Sequence, residues 1–306
     1  MSLFFIPSHC RFSILVLLFF VSFFVEAQPF VDIISVSNQR FSSSLPQNSS
    51  LKFATSDYFV NVFVPKEFKN GNTLLVRAAY EDLTCKPIPV SSIASLRFFS
   101  ISVPIGFQFL SKNKKWKSIF MGIPKLSSDF KAASTDNFQV GAVSIFTYVK
   151  NDNLKFKFGL YYNKEFFGNF FVPLAGVDWK VNNRFSLYGI LPTNYKAEYK
   201  LSNNFYTGLN FRSFTRSYRF SDGNRNANYL RLAENQLKVF LDIYIEKFVI
   251  FIEGGTSLGC TTSLNEDINY QSQPNYPYTS LFSKYKDNFL LNMGLAYRIR
   301  FDKTQK

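Results

Sequence analysis

Residues 289–301, FLLNMGLAYRIRF, put apolar side chains at Phe289, Leu291, Met293, Leu295, Tyr297, Ile299 and Phe301, with Asn292, Gly294, Ala296, Arg298 and Arg300 between them. Strict alternation describes a strand with one apolar face and one wet face. The period returns at 154–163, LKFKFGLYYN, where Leu154, Phe156, Phe158, Leu160 and Tyr162 oppose Lys155, Lys157 and Asn163. It returns again at Leu237, Val239, Leu241, Ile243 and Ile245 against Lys238, Asp242 and Glu246. A greasy face repeated on so many consecutive segments needs an equally extensive apolar partner. Lipid supplies one.

Beyond the N-terminus no stretch is apolar enough to cross a membrane as a helix, since even RFFSISVPIGFQFL at 97–110 is interrupted by polar residues. Any span must then be built of strands, which cross lipid only as a closed barrel with every backbone group paired. The mean hydropathy of −0.04 fits, because alternation averages out what a helix would concentrate. The expected fold is all-β, a transmembrane antiparallel up-and-down β-barrel of about 14 strands, or about 12 if one marginal hairpin is lost. A soluble β-sandwich or jelly roll is the competing fold. An aromatic content of 19% carried on one continuous face weighs against it.

The chain opens with MSLFFIPSHCRFSILVLLFFVSFFVEAQPF: a lead containing Arg11, an apolar run from Phe12 to Val25, and a small-residue exit at Val25-Glu26-Ala27. This is the layout of a secretory signal over residues 1–27, cleaved after Ala27 to leave one domain, 28–306. The run is shorter than the roughly 20 apolar residues a spanning helix needs. Cys10 precedes it and so cannot be a lipid-bearing cysteine. The net charge of +14 belongs to the part after the signal, where Lys and Arg are scattered rather than clustered. Such a distribution suits outer-membrane lipids and lipopolysaccharide, or an anionic solute, and not nucleic acid. Part of the excess is compositional, as the 38 Phe residues suggest.

Strands are expected near 30–37, 57–65, 73–80, 96–110, 116–124, 138–149, 154–163, 171–181, 184–191, 195–201, 204–216, 229–245, 247–258 and 289–301, with 41–50 a Ser/Asn-rich loop. The turn Glu67-Phe68-Lys69-Asn70-Gly71-Asn72 carries the Asn-Gly hairpin signal. Short connections at 66–72, 111–115, 150–153, 182–183, 202–203 and 246–247 fall on one side, which is the periplasmic pattern. Longer ones at 81–94, 125–137, 164–170, 217–228 and 259–288 fall on the other, apart from the tight corner Pro192-Thr193-Asn194. Trp179, Tyr199, Tyr297 and Phe301 stand beside the short turns, where an interfacial girdle belongs.

The chemistry is mostly absent. His9, the single histidine, lies in the signal, so histidine-dependent hydrolysis is closed to the processed chain, and no cofactor or metal-ligand pattern is present. No enzyme is expected. Glu81-Asp82 and Glu266-Asp267 read as solvated loop charges, and Gly254-Gly255 as a bend. Alternation directs Lys155, Lys157, Asp178, Lys180, Arg212, Lys238, Asp242, Glu253, Arg298 and Arg300 into the interior. An open lumen so lined favours anions; a filled one pairs the same charges across a packed core. Cys85 and Cys260 fall on the same side of the barrel, and both a disulfide and two separate thiols are open readings.

The segments FVNVFVPKEFKNGNTLLVRAAY at 59–80 and YGILPTNYKAEYKLSNNFYTGLNF at 188–211 resemble the outer-membrane β-barrel proteins of Bacteroidetes-type bacteria grouped as a domain of unknown function, numbered 6268. The final strand also looks like the recognition strand read by the barrel-assembly machinery, with Tyr297, Ile299 and Phe301 outward. It departs in that Asp302 to Lys306 follow the last aromatic. The resemblance implies architecture and a Gram-negative outer-membrane location, with no activity. Two functions follow as expectations: a monomeric passive pore or transport-related channel for small, anionic solutes, or a closed structural or surface-binding barrel acting through its outer loops, chiefly 259–288.

Overall fold

The Asn70-Gly71 turn shows how local chemistry sets the first complete hairpin. Gly71 takes φ = 80°, a left-handed conformation cheap only for glycine, and its N–H donates to the Phe68 carbonyl at 2.9 Å. From that turn the flanking strands pair without interruption from Glu67↔Thr73 to Lys52↔Ile88. In the computed structural model, residues 29–44, 52–88, 95–131, 134–221, 227–266, 283–285 and 289–301 are described. The expected signal segment, 1–27, lies outside them, as do 267–282 and 286–288 of the longest expected connection.

The strands are β1 (Phe30–Ser44), β2 (Lys52–Glu67), β3 (Thr73–Ile88), β4 (Leu96–Ser102), β5 (Ile105–Leu110), β6 (Trp116–Ser128), β7 (Phe138–Asn151) and β8 (Leu154–Glu165). They continue with β9 (Gly168–Lys180), β10 (Phe185–Ile190), β11 (Asn194–Lys200), β12 (Phe205–Arg219), β13 (Ala227–Ile245), β14 (Phe248–Glu266), β15 (Ser283–Tyr285) and β16 (Phe289–Arg300). β4 and β5 are halves of one wall strand, interrupted at Val103-Pro104 because proline cannot donate to the ladder. The Arg77 N–H bonds the Pro104 carbonyl at 2.9 Å and carries the wall across the break. β15 only flanks β14 at Cys260↔Tyr285. With those two adjustments the wall is a closed antiparallel barrel of 14 strands, sealed where β1 meets β16.

Alternation sorts the side chains as expected. Outward-facing Phe248, Leu295, Val239 and Phe171 are each more than half exposed, forming the apolar belt of a transmembrane barrel. Trp116 joins the girdle beside the short turns, its ring 5.1 Å from that of Tyr148. Trp179 and Tyr199 stand in it too, and Tyr297 packs edge-on against Phe248. Phe301 departs from expectation. The strand ends at Arg300, and Phe301 lines the interior instead.

Many strands run further outward than their apolar pattern. β1 continues through Ser44 and β2 begins at Lys52, so much of the expected 41–50 loop is wall. Likewise Glu81 and Asp82 lie within β3 rather than in a loop, and Lys125–Ser128 extend β6. Gly254 and Gly255 are in register within β14, with no bulge. Polar outer ends of this kind project above the lipid, where they need no apolar face.

Candidate functional site

The interior has two unlike arcs. On the arc formed by β10–β14, β16 and β1, the alternation-directed charges are buried and bonded to one another. Arg298 reaches Asp32 with two hydrogen bonds of 2.5 and 3.0 Å, also bonds Asp242, and lies 3.6 Å over the Phe30 ring. Arg300 donates to Glu198 at 2.5 Å and to the Tyr244 hydroxyl at 2.8 Å, while covering the Tyr206 ring. Glu253 accepts from Lys238, from Asn210 at 2.8 Å and from Asn292 at 3.0 Å. A charge this far from water is tolerated only when paired and hydrogen-bonded. These strands therefore contribute mostly packing, and border open space only through β1, β10, β11 and Arg298.

The outer half is filled differently. Arg216 of β12 bonds Asp57 of β2 at 2.7 Å and also Glu81 of β3, and the Tyr218 hydroxyl donates to Glu81 at 2.6 Å. In a round barrel of this size, strands five or six places apart stand roughly 25 Å from one another. Direct contact therefore requires the outer half of β12 to lean across the interior. Its end pairs in parallel with β6 at Arg219↔Ser128. Its Ser217 hydroxyl donates to Glu165 of β8 at 2.5 Å and accepts from Gln139 of β7 at 3.0 Å. Leu83, Phe98, Tyr218, Phe220, Leu230 and Leu232 then close an apolar core beneath the outer rim.

What remains empty is a cavity of about 610 Å³ against the other arc. Its wall is apolar through Phe63, Leu75, Ile119, Met121, Ile123, Val143 and Ile145, because β6 and β7 turn aliphatic side chains inward as well as outward. Six basic residues line it (Arg77, Lys117, Lys155, Lys157, Lys196 and Arg298) against two carboxylates, Asp32 and Asp178. Both carboxylates are engaged, Asp32 by Arg298 and Asp178 by Lys157 at 2.6 Å. Arg77 lies over the Phe63 ring and shares the field of Asp32, the carboxylate that Arg298 holds.

Of the residues that alternation directs inward, Lys155, Lys157 and Asp178 line the cavity, and Arg298 borders it from the packed arc. Lys238, Asp242, Glu253 and Arg300 belong to the paired network. Arg212 lies over the Phe59 and Phe214 rings, and Lys180 lines a small recess at the short-turn end with Glu198 and Lys200. Sequence reasoning missed Asp32, Asp57, Arg77, Glu81, Glu165, Lys196, Glu198 and Arg216. The signal for Lys196 and Glu198 was the alternation already visible in β11; for Arg216 it was the parity running on from Arg212. Cys85 is a free thiol accepting from Thr55 at 3.7 Å, so the bridge to Cys260 is not formed. The Cys260 side chain is outside the described residues. Among the described residues no cluster of His, Cys, Asp or Glu could hold a metal ion.

A closed transmembrane barrel with a filled outer end and a one-sided interior cavity is the class of protein these features define. The chain belongs to the DUF6268 family, a domain of unknown function whose sequence pattern matches residues 41–298. No curated protein matches it. Among solved structures, it is similar to a COG4313 outer membrane channel from Pseudomonas putida F1, at 8% identity and a TM-score of 0.44, covering 88% of this chain and 96% of that one. It is also similar to a Pseudomonas aeruginosa FadL homologue, at 9% identity and a TM-score of 0.44, covering 90% and 91%. The NanC porin aligns at 10% identity and a TM-score of 0.37, covering 87% and 100%.

Proposed function

We propose that this protein is a transport-related barrel of the Gram-negative outer membrane that takes up small amphipathic organic anions, and that it is not an open, water-filled pore. The observation carrying this reading is the cavity: an aliphatic wall beside six basic residues and only two carboxylates. An apolar tail gains about 0.8 kcal/mol for each methylene it buries against such a wall. A carboxylate or sulfate head gains charge-assisted hydrogen bonds from arginine. A cavity of this size sits within the range of ordinary small-ligand sites.

Titration of decanoate into detergent-folded protein tests the reading by calorimetry. Binding is expected, about tenfold weaker in Arg77→Gln, equivalent to about 1.4 kcal/mol. Decanol should bind no better to the native protein than to the variant. Absence of decanoate binding would overturn the reading. In planar bilayers the native protein should show no steady porin-like conductance. Large steps in the native protein would instead favour a passive pore. A barrel that neither conducts nor binds would leave the closed, surface-acting alternative, which the apolar core under the outer rim favours.

A further inference from the structure

The wall is not complete at every height. β10 has six residues and β11 seven, whereas a barrel strand needs about 9–11 to cross the hydrocarbon. Their hairpin stops at Leu191-Pro192-Thr193, and its last contacts are Ala175↔Leu191 on one flank and Asn194↔Arg212 on the other. Beyond it β9 runs on to Gly168 and β12 to Arg219 with no strand between them. The apolar belt continues past the tip on β9, where Pro173 is exposed and Phe171 is 57% exposed. The break therefore lies at the level of lipid.

Its edges are finished in part. Backbone groups point to the same side at every second residue, so after Ala175 the next N–H aimed across the break would be that of residue 173. That residue is proline, which has no N–H to leave unpaired. On the opposite edge the Ser213 N–H is taken up by the carbonyls of Pro192 at 3.1 Å and Thr193 at 3.3 Å. The rim above is closed, since the Phe166 N–H bonds the Ser217 hydroxyl at 3.1 Å and Arg231 lies 4.2 Å over the Phe167 ring. These contacts frame a gap in the strand ladder between β9 and β12. At its sill, Ile190 and Asn194 line the cavity within.

We infer that the break between β9 and β12 is a lateral window through which the apolar tail of an anionic amphiphile passes between the outer-membrane bilayer and the cavity. This rests on the binding role proposed above and adds the route. The cation-rich lower part of the cavity holds the head, and the tail threads past Ile190 toward the aliphatic wall. Because β12 leans inward, the window opens beside its Ser213 and Thr215 rather than into a continuous sheet.

Photocrosslinking in phosphatidylcholine vesicles tests the window, with dodecanoate carrying a terminal diazirine as the probe and mass spectrometry mapping the adducts. Native protein should carry adducts on inward Ile123, Val143 and Ile190 as well as on outward Phe156 and Leu160. Thr215→Trp, which fills the opening, should lower the inward adducts at least tenfold and leave the outward ones unchanged, with Pro173→Trp as a second variant if the first does not fold. Folding of each is verified by heat-modifiable gel mobility. Inward adducts that persist in a folded Trp variant would overturn the window while leaving the binding role intact, the probe then entering from the short-turn end. Adducts confined to the outward residues of native protein would overturn both.

Discussion

The two arcs of the interior invert the usual expectation that charge marks the passage and apolar residues mark the packing. On β12–β14 and β16 the charges are spent on one another, while Asp32, Lys196 and Arg298 stand where that arc meets the cavity. On β6 and β7 the aliphatic residues face space that nothing fills. A barrel cannot bury a lone charge, but it can leave an apolar surface unfilled where a ligand will cover it. The lumen charge of this chain therefore reports structure on one arc and, in the proposed function, recognition on the other, and only the partners of each residue distinguish them.

Five substitutions probe that contrast, beginning with the largest effect. Arg298→Ala strands Asp32 and Asp242 together and should destabilise the barrel by about 3–5 kcal/mol, read by urea unfolding in lipid vesicles. A loss below about 1 kcal/mol would mean that the packed arc is hydrated and the contrast false. Next, Phe98→Ala in the outer core should cost about 3–5 kcal/mol. Ile145→Ala, removing side chain that already faces empty space, should cost less than about 1 kcal/mol and lower decanoate affinity instead. Equal stability losses at the two positions would show the cavity to be as packed as the core. Last is Pro173→Ala, which restores an N–H at the edge of the break and should cost about 1 kcal/mol, while Pro124→Ala, outward on β6 and facing Val103, whose N–H bonds the Pro124 carbonyl at 3.1 Å, should not.

Much of the architecture was legible in the chain because alternation is a local property. Leu154 through Tyr162 declare their outward face without reference to any other strand, and the hairpin at Asn70-Gly71 announces itself. The misjudged strand ends have a physical cause. Ser42–Ser44 and Lys125–Ser128 project beyond the lipid, where nothing demands an apolar partner and the period fades. The break at Val103-Pro104 was not readable, because Pro65, Pro124 and Pro173 sit inside continuous strands and a proline alone does not mark an interruption. The lean of β12 was not readable. It depends on Arg216 meeting Asp57, 159 residues earlier in the chain, and parity says only that both point inward. The cavity escaped for a related reason: Ile119, Met121 and Ile123 are apolar on the face that alternation assigns to water, so β6 is greasy on both sides. The tight corner at Pro192-Thr193-Asn194 stood out from the loop pattern, but its meaning required seeing that the strands on either side outrun it.

The seam where β1 meets β16 has a consequence for biogenesis. Arg298 and Asp32 are separated by 266 residues, and their two hydrogen bonds join the first wall strand to the last. No partial product that lacks its final strand can make this clasp, so the same pair that fills the interior also registers completion. A chain arrested during insertion would carry Asp32 without its guanidinium, a mark by which unfinished and finished molecules differ in charge at their join.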